Sequence, residues 1–214
     1  MKKSIIISSI LLCLLGTTRA QDNSVLPDSR NKIHLGIKAG ANYANIYDEQ
    51  EDHFTADPKL GFVGGAFLSV PVGKYLGVRP EVLFSQKGFY AETTTLESTY
   101  TFSRTTSYID VPLMLELKPS RFITIVGGPQ YSYLLNQTDI FKDDNSVAVQ
   151  QQDFENDNLR KNTLGAIVGL DVNISRIVLG ARYAIDMQTN NGDGSSSIPR
   201  YKNQWWQGTI GVRF

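Results

Sequence analysis

The chain has 214 residues, 21 basic and 21 acidic side chains that leave it formally neutral, one cysteine and two histidines. Neutrality argues against nucleic acid as a partner, and a lone cysteine excludes an internal disulfide and a cysteine-built metal site. The length suits one domain, with no proline-rich linker and no helical repeat to mark a second.

Residues 1–20 read as a secretory signal peptide. Met1-Lys2-Lys3 is cationic, residues 5–16 are apolar, and Ala20 offers a cleavage site before Gln21. The apolar run falls short of the ~20 residues of a membrane-spanning helix. Cys13 follows Leu11-Leu12 where an acylated cysteine would follow small residues, so it reads as apolar filler. Cleavage removes Lys2, Lys3 and Arg19 and leaves a mildly acidic chain without cysteine. Residues 21–32 form a polar periplasmic lead, and residues 33–214 the expected barrel domain.

Eight alternating segments follow. Residues 33–43 put Ile33, Leu35 and Ile37 on one face and His34, Lys38 and Asn42 on the other. Residues 60–70 and 76–88 flank the tight link 71–75; in the latter, Leu76, Val78, Pro80, Val82 and Phe84 oppose Arg79, Glu81, Ser85 and Lys87. Residues 108–118 alternate most cleanly, with Ile109, Val111, Leu113, Leu115 and Leu117 against Asp110, Glu116 and Lys118. Residues 122–135, 164–174, 177–186 and 202–214 complete the set.

The links at 71–75, 119–121 and 175–176 are short, whereas those at 46–59, 90–106, 136–162 and 187–201 are long and polar. Strict short–long alternation is the signature of an even-stranded up-and-down barrel with its long loops at one end. The reading is an all-β protein: an eight-stranded antiparallel up-and-down transmembrane β-barrel, long loops outside the cell and both termini in the periplasm. Closure is favoured because an unpaired backbone group in lipid costs several kcal/mol. Tyr43, Phe89, Tyr90, Tyr108, Phe122, Tyr131, Tyr133, Tyr183, Trp205 and Trp206 stand where interfacial girdles are expected, some of them necessarily core residues. The last segment gives Trp206, Gly208, Ile210 and Val212 to lipid and Arg213 to the interior, and stops on Phe214.

The stretch Arg79-Pro80-Glu81-Val82-Leu83-Phe84-Ser85-Gln86-Lys87-Gly88 resembles the Pro-Glu-Leu-Leu-Tyr-Ser-Gln strand of PorT-like outer-membrane β-barrel proteins of Bacteroidota. Asp110-Val111-Pro112-Leu113-Met114-Leu115-Glu116-Leu117-Lys118, Gly127-Gly128-Pro129-Gln130-Tyr131 and Ala181-Arg182-Tyr183 fit the same pattern in order. The resemblance implies an eight-stranded, porin-family outer-membrane barrel without cofactor, most of whose members carry no assigned activity. One branch of the family serves type IX secretion; the loops here match nothing that places the chain in it. The family also implies that Phe214 is a terminal signal read by the barrel assembly machinery.

The inward set includes Lys38, Arg79, Glu81, Lys87, Asp110, Glu116, Asp171, Arg182 and Arg213, with both signs interspersed. In so narrow a barrel the expectation is a structural network of ion pairs, with a small pore as its rival. A lipid A-modifying enzyme would need a histidine, yet His34 falls at the periplasmic end and His53 in an acidic loop without a motif. The oxygen-rich runs 143–145, 153–158 and 190–194 lack the spacing of a dedicated calcium loop, and no metal site is assigned. A soluble lipocalin-like barrel would turn the same alternation inside out. The function expected is a structural, envelope or loop-mediated binding role, with membrane lipid, lipopolysaccharide and a protein or ligand at the outer loops as partners.

Overall fold

The computed structural model describes residues 28, 30–48, 56–94, 99–143, 146–152, 160–190 and 201–214. The signal segment 1–20, His53 and most of the oxygen-rich loop runs lie outside the described residues. The strands are β1 (His34–Asp48), β2 (Ala56–Pro71), β3 (Leu76–Thr94), β4 (Thr99–Leu117), β5 (Ile123–Asp143), β6 (Ser146–Gln152), β7 (Asn162–Ile174), β8 (Ile177–Asp186) and β9 (Tyr201–Arg213). β1 to β5 each pair antiparallel with the next, β5 pairs with β7, β7 with β8, β8 with β9 and β9 with β1, so eight strands close a ring. The ninth, β6, stands outside it, folding back on the far end of β5 from Gln137↔Gln152 to Asp143↔Ser146.

Each face carries what its surroundings demand. Leu35, Ile37, Leu60, Val82, Leu113, Leu115, Leu164, Leu170, Leu179 and Ile210 are exposed around the outside, while the interior buries mostly polar and charged side chains. This inversion of a soluble core is the arrangement lipid requires. Along β4 the outward residues run Leu117, Leu115, Leu113, Val111, Ile109 and then change to Ser107, Thr105 and Ser103. The apolar belt thus covers the nine or so residues a tilted strand needs to cross hydrocarbon.

Beyond the belt the wall is uneven. β8 has 10 residues and β5 has 21. The expected links 90–106 and 136–162 are therefore largely strand: β3 and β4 stay paired out to Thr94↔Thr99, and β5 with β4 out to Thr101↔Lys142. Two physical reasons hid this. The outward face turns to Ser107, Thr105 and Ser103, so the outward apolar run that marks the strand ends there though pairing continues; the inward face mixes Phe102 with Arg104 and Thr106. In β5, the register shifts where Ser107↔Asn136 gives way to Tyr108↔Leu134, leaving Leu135 as the extra residue of a bulge. Leu134 faces in below it, Gln137 and Asp139 above it, so parity switches where the expected strand stops.

Phe89, Tyr108 and Trp205, offered above as girdle residues, are buried inside the barrel instead, while Tyr43, Tyr90, Phe122, Tyr131 and Trp206 are exposed outside. Parity decides each case: Trp205 and Trp206 are neighbours in sequence and point to opposite faces.

Candidate functional site: a charged crossbar in the lumen

Seven side chains form a string of alternating charge across the interior. Lys38 of β1 pairs with Glu81 of β3, and Arg182 of β8 grips the same carboxylate through two N–H groups at 2.8 and 3.1 Å. Arg182 also reaches Asp171 of β7 at 3.5 Å. Asp171 accepts from Arg79 of β3, Arg79 donates to Glu116 of β4, and Glu116 meets Lys118 at 2.7 Å. Ser69 adds an O–H to Glu116 at 2.7 Å. All seven are buried, which makes their mutual pairing obligatory: an isolated charge there would carry a penalty of several kcal/mol.

The string spans the full width of the ring. In the order β1-β2-β3-β4-β5-β7-β8-β9, β3 and β8 lie four strands apart in either direction. The Glu81–Arg182 pair therefore runs along a diameter. Room for long side chains comes from glycines between them. A methyl group on Gly180 would collide with Asp171 and Thr209, and one on Gly77 with Glu116.

Above the string, Lys87 donates to Asp110 at 3.2 Å and sits 3.8 Å from the Trp205 ring centre and 4.5 Å from that of Tyr108. A cation between two aromatic faces is held by their quadrupoles as well as by the carboxylate. Ala44, Met114, Val126, Ile167, Ala184 and Trp205 complete an apolar layer at mid-barrel. Toward the end opposite the short turns, Arg104 makes a two-pronged pair with Asp139, both contacts at 2.8 Å, and donates to the Tyr201 hydroxyl. The inward set omits Arg104 and Asp139, which lie in the expected links 90–106 and 136–162, and Trp205, which stands among the expected girdle residues. Extending the inward parity of β4 from Glu116 and Asp110 up to Arg104 finds the first.

Of the nine sequence-selected inward residues, Lys38, Arg79, Glu81, Glu116, Asp171 and Arg182 meet in the string, and Lys87 and Asp110 meet above it. Arg213 stands apart at the rim formed by the short turns. It donates to the Ser175 carbonyl at 2.9 and 3.1 Å and to Asn173 at 3.4 Å, with no carboxylate among these contacts. Ser175 adopts a left-handed backbone (φ 55°) in the two-residue turn between β7 and β8. Phe214 is exposed, and its N–H donates to the Leu35 carbonyl at 2.8 Å. His34 Nδ1 lies 3.3 Å from the Phe214 main-chain oxygen.

In the lead before β1, Arg30 donates to both carboxylate oxygens of Asp28, at 2.9 and 2.7 Å. That hydrogen bonding holds the Asp28 carboxyl well below the usual carboxylate range.

No curated protein sequence matches the chain. Among solved structures, it is similar to Ail, the attachment invasion locus protein of Yersinia pestis, at 13% identity and TM-score 0.46, covering 85% of this chain and 98% of that one. Neisserial surface protein A matches at 11% identity and TM-score 0.48, over 84% and 97% of the two chains. OprG from Pseudomonas aeruginosa matches at 12% identity and TM-score 0.37, over 85% and 95%. The family model described as outer membrane protein beta-barrel domain matches residues 19–185, the span from before β1 to nearly the end of β8. The chain belongs to the outer membrane protein beta-barrel domain family.

Proposed function

We propose that this is a PorT-like barrel of the Bacteroidota type that binds a partner at its outer end and neither conducts solutes nor catalyses a reaction. The observation that carries the reading is the uneven wall. β3, β4 and β5 continue beyond the apolar belt, and β6 adds a fourth strand to that projecting sheet. Among the described residues β6 pairs with β5 alone. An open edge offers main-chain donors and acceptors to an extended segment of another chain. The crossbar supports the second half of the reading, since seven interlocked side chains cross the lumen below its apolar mid-layer.

On this reading residues 1–20 are cleaved on export near Ala20, the barrel assembly machinery reads Phe214, and the outward belt contacts membrane lipid and lipopolysaccharide. The sequence pattern of 79–88 supports the finer family placement. His34 faces the periplasmic mouth and contacts main chain, which supports a structural place for it rather than catalysis on a surface lipid.

The test is crosslinking on intact cells with the full chain and with a variant in which 141–152 is replaced by a tight turn. That cut removes β6 and spares Asp139 with its Arg104 pair. A crosslinked partner lost in the variant supports the reading; an unchanged crosslinking pattern overturns it.

A further inference from the structure

The crossbar has an odd number of members. It begins and ends on a cation: four positive groups, Lys38, Arg182, Arg79 and Lys118, share three carboxylates, Glu81, Asp171 and Glu116. Of the two terminal cations, Lys118 is the one that lines an opening. There the string opens into a recess of about 20 Å³ at the periplasmic mouth, walled by Arg30, Arg79, Lys118, Arg121, Arg213 and His34. No aspartate or glutamate lines it. The hydroxyls of Ser69, Ser120 and Thr124 share its walls.

The surroundings sharpen the imbalance. Lys118 shares Glu116 with Arg79, and Arg213 is held by the neutral oxygens of Ser175 and Asn173. The string and Arg213 together hold five cations against three carboxylates, a local surplus of two positive charges. Each short turn on this rim adds another cation, Lys74, Arg121 or Arg176; the acid beside them, Asp28, is taken up by Arg30 and lies 3.8 Å from Lys74. Guanidinium forks beside hydroxyl donors are the chemistry that binds tetrahedral oxyanions, because several N–H and O–H groups can converge on one set of oxygens.

We infer that the periplasmic recess binds a phosphate-type oxyanion, which supplies the eighth charge of the alternating string. The anion meets Arg213 and Lys118 and is offered either by a soluble phosphate or by the headgroup of an inner-leaflet lipid. The site does not depend on partner binding at the opposite end of the barrel. Its periplasmic address rests on the orientation above, and anion binding in a nanodisc is independent of that orientation.

The experiment uses the full chain in nanodiscs of zwitterionic lipid, titrated with inorganic phosphate while the arginine Nε–H signals are followed by NMR, with chloride as control. A saturable shift at Arg213 that chloride does not reproduce is expected, together with about tenfold weaker binding in Arg213→Gln and in Lys118→Gln. A second arm replaces part of the lipid with phosphatidylglycerol and omits phosphate. The same signals moving in that arm alone identify the lipid headgroup as the source and uphold the site. Shifts that follow chloride equally, or no shift in either arm, overturn the inference. Should either variant lose the heat-dependent gel shift of a folded barrel, Arg121→Gln, altered in an exposed turn, takes its place. Undiminished phosphate binding in the folded variants overturns the inference as well.

Discussion

At the scale of single residues the interior is governed by charge conservation more than by shape. Glu81 serves Lys38 and Arg182 at once. Glu81→Gln keeps the volume but leaves two buried cations short of a counter-charge, so a loss of about 3–5 kcal/mol is expected. Urea unfolding of the lipid-reconstituted barrel measures it, and an unchanged midpoint would remove the crossbar from any account of stability. Trp205 makes the complementary point. It is a large apolar side chain on an otherwise polar face, lying over Lys87 at 3.8 Å and joining the mid-barrel apolar layer. Trp205→Leu keeps the hydrophobic contact and removes the ring quadrupole, so a cost of about 1–2 kcal/mol in the same assay is expected.

Strands add a constraint that residues do not feel, the parity of the two faces. The bulge at Leu135 places two successive residues, Leu135 and Asn136, against the single turn of register between Ser107 and Tyr108. Deleting Leu135 leaves Leu134 and Gln137 both facing inward, so a straightened but correctly faced β5 is expected. Deleting Val168 from the regular ladder of β7 turns half of that strand inside out. The first variant is expected to refold and the second to fail, as read by heat-dependent migration on gels; equal behaviour would show that parity is not what specifies this wall. The same distinction explains what the sequence could tell. Where one face meets lipid, as from Ile109 to Leu117, alternation marks the strand and sorts Asp110 and Glu116 inward. Where the outward face turns polar, as at Ser107, Thr105 and Ser103, pairing leaves no such trace, and nothing marks Arg104 and Asp139 as inward partners. The partners within the crossbar were equally illegible. That Glu81 meets Arg182 depends on ring size and stagger, which no single strand encodes.

Taken whole, the molecule is a closed cylinder with a filled middle and unequal ends. In planar bilayers it is expected to give no stable open-channel steps, and regular conductance steps would show that the crossbar moves aside. One consequence of the diametric Glu81–Arg182 contact concerns time. β3 and β8 are distant in sequence and lie opposite each other in the ring, so their contact needs the sheet to have curled round, and the crossbar is expected to form late, as a latch on the closing cylinder rather than a guide to it. Interactions made after the folding barrier has been crossed leave the forward rate alone and slow the reverse one. Arg182→Met should therefore insert and close about as fast as the parent chain yet open far sooner, which makes the crossbar a determinant of how long the barrel lasts once it is in the membrane.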